Sequence, residues 1–185
     1  MKKQILSAIL ILAIVIGFGS CKKEVEVNSP YHIGQYLNGG IVAYIDATGQ
    51  HGLITDTIDA YGHCNWSVDG DIVVNTNTMY NSGASNTLNI IHRESIEMGY
   101  AAYWATCNYY TSNYSDWFLP SKDELNFIYK NNSKFLCLKN KSNNNYWTSS
   151  NDSTRINVWV QNFTNGKQLI VNQLDSASVM KVRKF

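Results

Sequence analysis

The chain has no excess of charge of either sign. Across 185 residues, 15 Lys and Arg stand against 14 Asp and Glu, and removing the first 20 residues takes away Lys2 and Lys3, leaving 13 against 14. A general nucleic-acid binder shows a strong basic excess, so the balance argues against that class. The four cysteines, Cys21, Cys64, Cys107 and Cys137, form no Cys-x-x-Cys pair, which argues against a structural zinc site. His92, Glu94 and Glu97 lack the His-Glu-x-x-His spacing that puts two zinc ligands on one helical face. Glycine-rich phosphate loops are missing. A nucleophilic site needs a base beside its nucleophile, and His63 next to Cys64 is the one adjacent pair. Neighbours in sequence need not point at each other, and a structural Cys64 is the expectation. Residue spacing alone shows no catalytic chemistry, and no cofactor is expected.

The long apolar run is confined to the start. Met1-Lys2-Lys3 followed by Ile5 to Phe18 is a basic and then apolar leader, too short for a spanning helix. It ends in Gly17-Phe18-Gly19-Ser20-Cys21, which resembles a bacterial lipobox, with Phe18 where an aliphatic residue is usual. The pattern predicts a lipoprotein signal peptide over 1–20 and a lipidated Cys21 that anchors the chain to a membrane through acyl chains. The alternative is plain secretion with cleavage near Ser20. A polar tether over 21–33 then leads to a single domain over 34–185, long enough to bury a sizeable core. Outside the cytoplasm, one disulfide among Cys64, Cys107 and Cys137 is permitted, in any of three pairings, and three buried free thiols are equally compatible.

What the domain does have is turn chemistry, aromatic residues and helix signals. Gly39-Gly40 leads into the strand-like Ile41 to Ile45, and the turn-rich Asp46 to Gly52 returns it to Leu53-Ile54-Thr55, a hairpin pattern. Asp56 to Ser85 has no sustained period and predicts irregular structure with one short strand. Leu88, Ile91, Ser95, Met98, Ala102 and Ala105 recur at spacings of three and four, which predicts one helix from Asn86 to Cys107. A second helix is announced by Ser121 and Glu124, spaced as a capping box behind Pro120 and the apolar plug Trp117-Phe118-Leu119. Phe135, Leu136 and Leu138 are expected contacts in the Asn-rich stretch that follows. Tyr146 to Ser150 reads as a strand. Asn157 to Phe163 alternates, with Val158 and Val160 on one face and Trp159, Gln161 and Phe163 on the other. Asn165-Gly166 is a two-residue hairpin signal, and Val179 to Phe185 alternates as one last strand. The fold class expected is α+β, with two helices and a twisted antiparallel sheet.

Twelve tyrosines, five tryptophans and an asparagine-rich second half suit a binding surface, because they supply rigid contact area and adaptable hydrogen bonds. An ordinary core with polar loops accounts for the same composition. Trp66-Ser67-Val68-Asp69-Gly70-Asp71 places two carboxylates near each other, as a hard cation would need, although loop Asp residues more often cap turns. Lys167, Lys181, Arg183 and Lys184, with Arg155, form a basic cluster suited to sulfates or acidic headgroups, or to solubilising strand edges.

Four stretches together carry a family resemblance: Gly39 to Tyr44, Asp116 to Leu125, Tyr146 to Ser150 and Val182 to Phe185. In combination they resemble the family of the C-terminal domain of the Legionella collagen-like adhesin, and the Fibrobacter succinogenes major paralogous domains found in Bacteroidetes lipoproteins. The likeness runs from about Gly34 to Phe185. It implies a C-type-lectin-like fold, of the branch that also holds the formylglycine-generating enzymes. It further implies a surface-exposed, outer-membrane lipoprotein that binds a glycan or a cell-surface protein without catalysis. The variable ligand-binding stretch of such relatives corresponds to Tyr146 to Asn172, which makes Trp147, Asn151, Arg155, Asn157, Trp159, Gln161, Asn165 and Gln168 the expected ligand-binding residues. The calcium-ligand signatures of sugar-binding C-type lectins are absent, and no metal is expected. A structural or assembly lipoprotein is the alternative. An enzyme of the formylglycine-generating branch comes third, since only Cys107 and Cys137 lie where its cysteine pair would be.

Overall fold

The computed structural model describes residues 28–70, 73–94, 100–107, 114–134 and 145–185. In chain order these form β1 (Tyr36–Leu37), β2 (Gly40–Ile45), β3 (Gly52–Thr55) and β4 (Tyr61–Cys64), followed by α1 (Gly83–Glu94), α2 (Ala101–Thr106) and α3 (Lys122–Asn131). Five strands complete the chain: β5 (Asn145–Asn151), β6 (Asn157–Asn162), β7 (Gln168–Asn172), β8 (Ala177–Val179) and β9 (Val182–Lys184). The fold is α+β, with two mostly antiparallel sheets where one was expected. One sheet runs β1-β2-β3-β9 and the other β4-β8-β5-β6-β7, and β5 and β8 pair in parallel. The predicted β2–β3 hairpin is present, with a register shift between Val42 and Tyr44.

The last strand expected, Val179 to Phe185, is two strands in two sheets. The chain crosses over at Met180 and Lys181, pairing Val179 with Tyr61 on one side and Val182 with Thr55 on the other. Both faces of this segment are covered, so Lys181 and Arg183 are buried along with Met180 and Val182. Alternation marks a strand's two faces but does not reveal that both are enclosed. The Asn165-Gly166 turn is also wider than two residues. Asn162 N–H donates to Lys167 O at 2.8 Å and Gly166 N–H to Asn162 O at 2.9 Å, so four residues span it, and Gly166 takes the left-handed φ of 74° that glycine accommodates.

Two cores lie on either side of β5, whose successive side chains serve them alternately. Trp147 joins Trp66, Ile90, Leu119, Val158 and Val160 in the first, which α1 and α2 cover. Tyr146 joins Leu53, Leu125, Ile128, Phe163 and Met180 in the second, between the first sheet and α3. Both rings are fully buried. An aromatic side chain of ~150–250 Å² at about 25 cal/mol/Å² gains roughly 4–6 kcal/mol, an upper bound because unfolded chains already bury some of it. Packing reaches upstream of Gly34. Ser29 Oγ donates to Gly49 O at 2.7 Å, Tyr31 meets Phe185 edge-on at 4.8 Å, and Ile33 packs on the second core.

The single helix expected over Asn86 to Cys107 is two. Tyr100 is extended (φ −106°, ψ 167°) immediately before α2, and residues 95–99, with Ser95 and Met98, lie outside the described residues. Ile90 is sealed in the core while the predicted core residue Leu88 is 56% exposed, so α1 is rotated from the face its period suggested. Ala102 and Ala105 are buried as expected. The α3 prediction is met in detail: Ser121 Oγ accepts from Glu124 N–H and Glu124 accepts from Ser121 N–H. Phe135, Leu136 and Leu138 lie outside the described residues. No helix among the described residues is long and apolar enough to cross a membrane.

Candidate functional site: a polar groove beside Trp159

At the end of β5 the pairing with β6 becomes irregular between Trp147 and Asn151, and the chain turns back over Asp152 to Ile156. Asp152 builds that turn. Its Oδ1 accepts from Thr154 N–H at 3.1 Å, Thr154 Oγ1 at 2.6 Å and Asn157 N–H at 3.3 Å, and its Oδ2 accepts from Asn157 Nδ2 at 3.3 Å. Burial raises the Asp152 pKa, but these bonds together prevail and hold it below the ordinary carboxylate value. It is therefore ionised near neutral pH.

Opposite the turn stands the loop carrying Thr76, Asn77 and Thr78. Its polar groups are anchored rather than free. Asn77 N–H donates to Asn86 Oδ1 at 2.8 Å, Asn86 Nδ2 and Ser150 Oγ donate to Asn77 O at 2.7 and 2.8 Å, and Asn151 N–H donates to Thr76 Oγ1 at 2.8 Å. Between loop and turn lies an open groove of about 520 Å³, lined by Thr76, Asn77, Thr78, Asn151, Asp152, Ser153, Trp159 and Ile170. Trp159 and Ile170 are cross-strand partners on β6 and β7 and form its aromatic and apolar side. The half-buried Trp159 ring carries the Lys122 ammonium 4.0 Å from its centroid. Lys122 is placed there because it is the first residue of α3, just behind the capping box.

This setting offers hydrogen bonds, one carboxylate and an aromatic ring. Cys64 is a buried free thiol whose pKa burial pushes up to about 12, which removes it as a nucleophile. Cys107 is also free and half-buried, and Cys137 lies outside the described residues. Among the described residues no cluster of three metal-ligating side chains forms, and Asp71 of the proposed cation pair is not one of them.

The expected ligand-binding residues divide. Asn151 and Trp159 line the groove; Asn157 and the exposed Arg155 belong to its turn. Gln168 pairs with Gln161 across the hairpin and donates to Lys122 O at 3.0 Å, beneath the cation over Trp159. Trp147 and Gln161 must be corrected. Both are fully buried, Trp147 donating Nε1 to Cys64 O at 2.8 Å and Gln161 donating Nε2 to Gly166 O at 2.9 Å. The face of β6 that alternation presented as open lies against α3. Asn165 sits in the turn at the far end of the β6–β7 hairpin, its Oδ1 accepting from Lys167 N–H at 2.9 Å. Lys122, Asp152 and Thr76 to Thr78 were not anticipated. Asp152-x-Thr154 was a readable turn signal, whereas nothing local points from Lys122 to Trp159.

The basic cluster is not assembled either. Lys181 Nζ meets Asp56 Oδ2 at 3.0 Å inside the fold, and Arg183 clasps Asp116 through Nε at 2.8 Å and Nη2 at 2.9 Å. Two of its five cations are thus committed to structural ion pairs. No family model matches this sequence, and no curated protein matches it.

Proposed function

We propose that this chain is a surface-exposed bacterial lipoprotein, anchored in the outer membrane through Cys21, whose C-type-lectin-like domain captures a glycan or a cell-surface protein without turnover. The observation that carries this reading is the groove: an aromatic ring beside anchored Thr76, Asn77 and Asn151, with one ionised carboxylate. Aromatic faces with a few fixed polar groups are the ordinary equipment of non-covalent recognition. A groove whose walls are already held by hydrogen bonds loses little entropy on binding. The test is capture on an array of glycans and surface proteins, comparing the soluble domain with Trp159→Ala. Ligands retained by the first and lost by the second support the reading; identical capture by both counts against it.

A second reading, an assembly lipoprotein that docks to another envelope protein, draws on the exposed Ile156, Leu169, Ile170 and Leu174. Co-purification of a stoichiometric partner with an empty array favours it.

A further inference from the structure

The first turn of α3 also reaches across the fold. Glu124 is fully buried; its Oε2 accepts the Ser121 N–H at 2.8 Å and its Oε1 accepts the Asn81 N–H at 3.0 Å. Asn81 closes the same loop whose Thr76, Asn77 and Thr78 wall the groove, and it takes a left-handed φ of 76°. Other bonds join that loop to the same turn. Ser121 Oγ donates to Met79 O at 2.8 Å and Asp123 N–H to Thr78 O at 3.0 Å. Lys122 N–H donates to Ser150 Oγ at 3.1 Å, and that hydroxyl donates onward to Asn77 O. There is no slack around the carboxylate: a Cβ at Gly83, the first residue of α1, would collide with Glu124 Oε2.

We propose that Glu124 is a pH-sensitive latch on the groove. Ionised, it holds the Asn81 end of the loop to the start of α3; protonated, it releases one of its two N–H donors and the groove wall loosens. This rests on the binding reading of the groove and names how that site is regulated. The charged and titratable groups that act on the carboxyl are Lys184 from β9 and Tyr80 from the loop; Lys122 and Asp123 are its neighbours in the first turn of its own helix, and Asp46 and His51 line the cavity shared with Tyr80, Asn81 and Lys184. Burial pushes the Glu124 carboxyl above its ordinary value and outweighs both its hydrogen bonds and the Lys184 charge, which pull it down. Protonation puts an O–H donor on one of the two oxygens and leaves that oxygen a weaker acceptor than a carboxylate, so one of the two N–H bonds is weakened. Because the folded pKa is raised, the stability linked to Glu124 is full below the ordinary carboxylate range and declines as pH rises through its own value. A wall that lets one N–H go while the carboxyl stays buried binds the proton more tightly still, because those bonds pull its pKa down, so acid favours the loosened wall while this group does not drive unfolding in acid.

The test is a pH titration of the ligand-free domain by NMR. The expected result is that the Glu124 carboxyl carbon and the Asn81 and Ser121 amides move with one midpoint, above the ordinary Glu value of about 4.3. Amide exchange over Asn77 to Asn81, corrected for intrinsic rate, should speed up below that midpoint. Glu124→Gln should hold the acid-like shifts at neutral pH and abolish their titration. Asn81 and Ser121 amides that stay still while Glu124 titrates, or that titrate unchanged in Glu124→Gln, overturn the latch. If the variant does not fold, the wild-type midpoints decide. No ligand enters this experiment, so a failed latch leaves the Trp159 reading standing, and a failed Trp159 reading leaves the titration unaffected.

Discussion

Lys122 Nζ lies 4.0 Å from the centroid of the Trp159 ring, joining the start of α3 to the middle of β6. Gln168, one strand further out, fixes the backbone beneath by donating to Lys122 O at 3.0 Å. A cation over an aromatic face at a partly exposed site contributes roughly 0.5–1 kcal/mol. Lys122→Ala should lower stability by about that amount and make the indole more accessible to acrylamide quenching. Unchanged stability and unchanged quenching would show that the contact contributes nothing.

The buried pair of Lys181 and Asp56 predicts a larger effect. Its side chains are 3% and 2% exposed at 3.0 Å, and the ammonium also stands 5.0 Å from the Trp117 ring. Removing one member strands a buried charge, which costs about 3–5 kcal/mol. Urea denaturation of Asp56→Ala should register that loss. The double change Asp56→Leu with Lys181→Met should recover much of it, since replacing both ions by apolar groups is often neutral or stabilising. A double variant no better than the single one would assign the loss to packing instead of to the unpaired charge.

Cys64 provides a chemical check on the first core. A thiol pushed up to about 12 by burial is almost wholly protonated near neutral pH. Iodoacetamide should leave Cys64 unmodified in the native domain and label it once the domain is unfolded. Labelling of native Cys64 at the rate of a small-molecule thiol would contradict its placement.

Local signals were legible, and enclosure was not. The capping box of Ser121 and Glu124 depends on residues three apart, and it formed as read. The alternation of β6 correctly separated Val158 and Val160 from Trp159 and Gln161. Which face meets solvent depends on α3, a tertiary neighbour that β6's own sequence does not encode. Gln161 is therefore buried, while Trp159, two residues earlier on that face, stays half-open beside the groove. The same limit turned one C-terminal strand into two and drew Lys181 inside. Of the groove, Asn151 and Trp159 could be named in advance because both lie in the stretch the resemblance singled out. The Thr76 to Thr78 wall arrives from 75 residues away in sequence, through the Thr76–Asn151 hydrogen bond.

The most direct measurement is the affinity of an array-selected ligand for the wild-type domain, Trp159→Ala and Asn165→Ala. Trp159 lies on the groove, whereas Asn165 is exposed at the far end of the same hairpin. The groove account predicts that Trp159→Ala weakens binding about tenfold or more, which corresponds to roughly 1.4 kcal/mol, and that Asn165→Ala binds like wild type. Equal affinity of Trp159→Ala and wild type, with both folded, would contradict it.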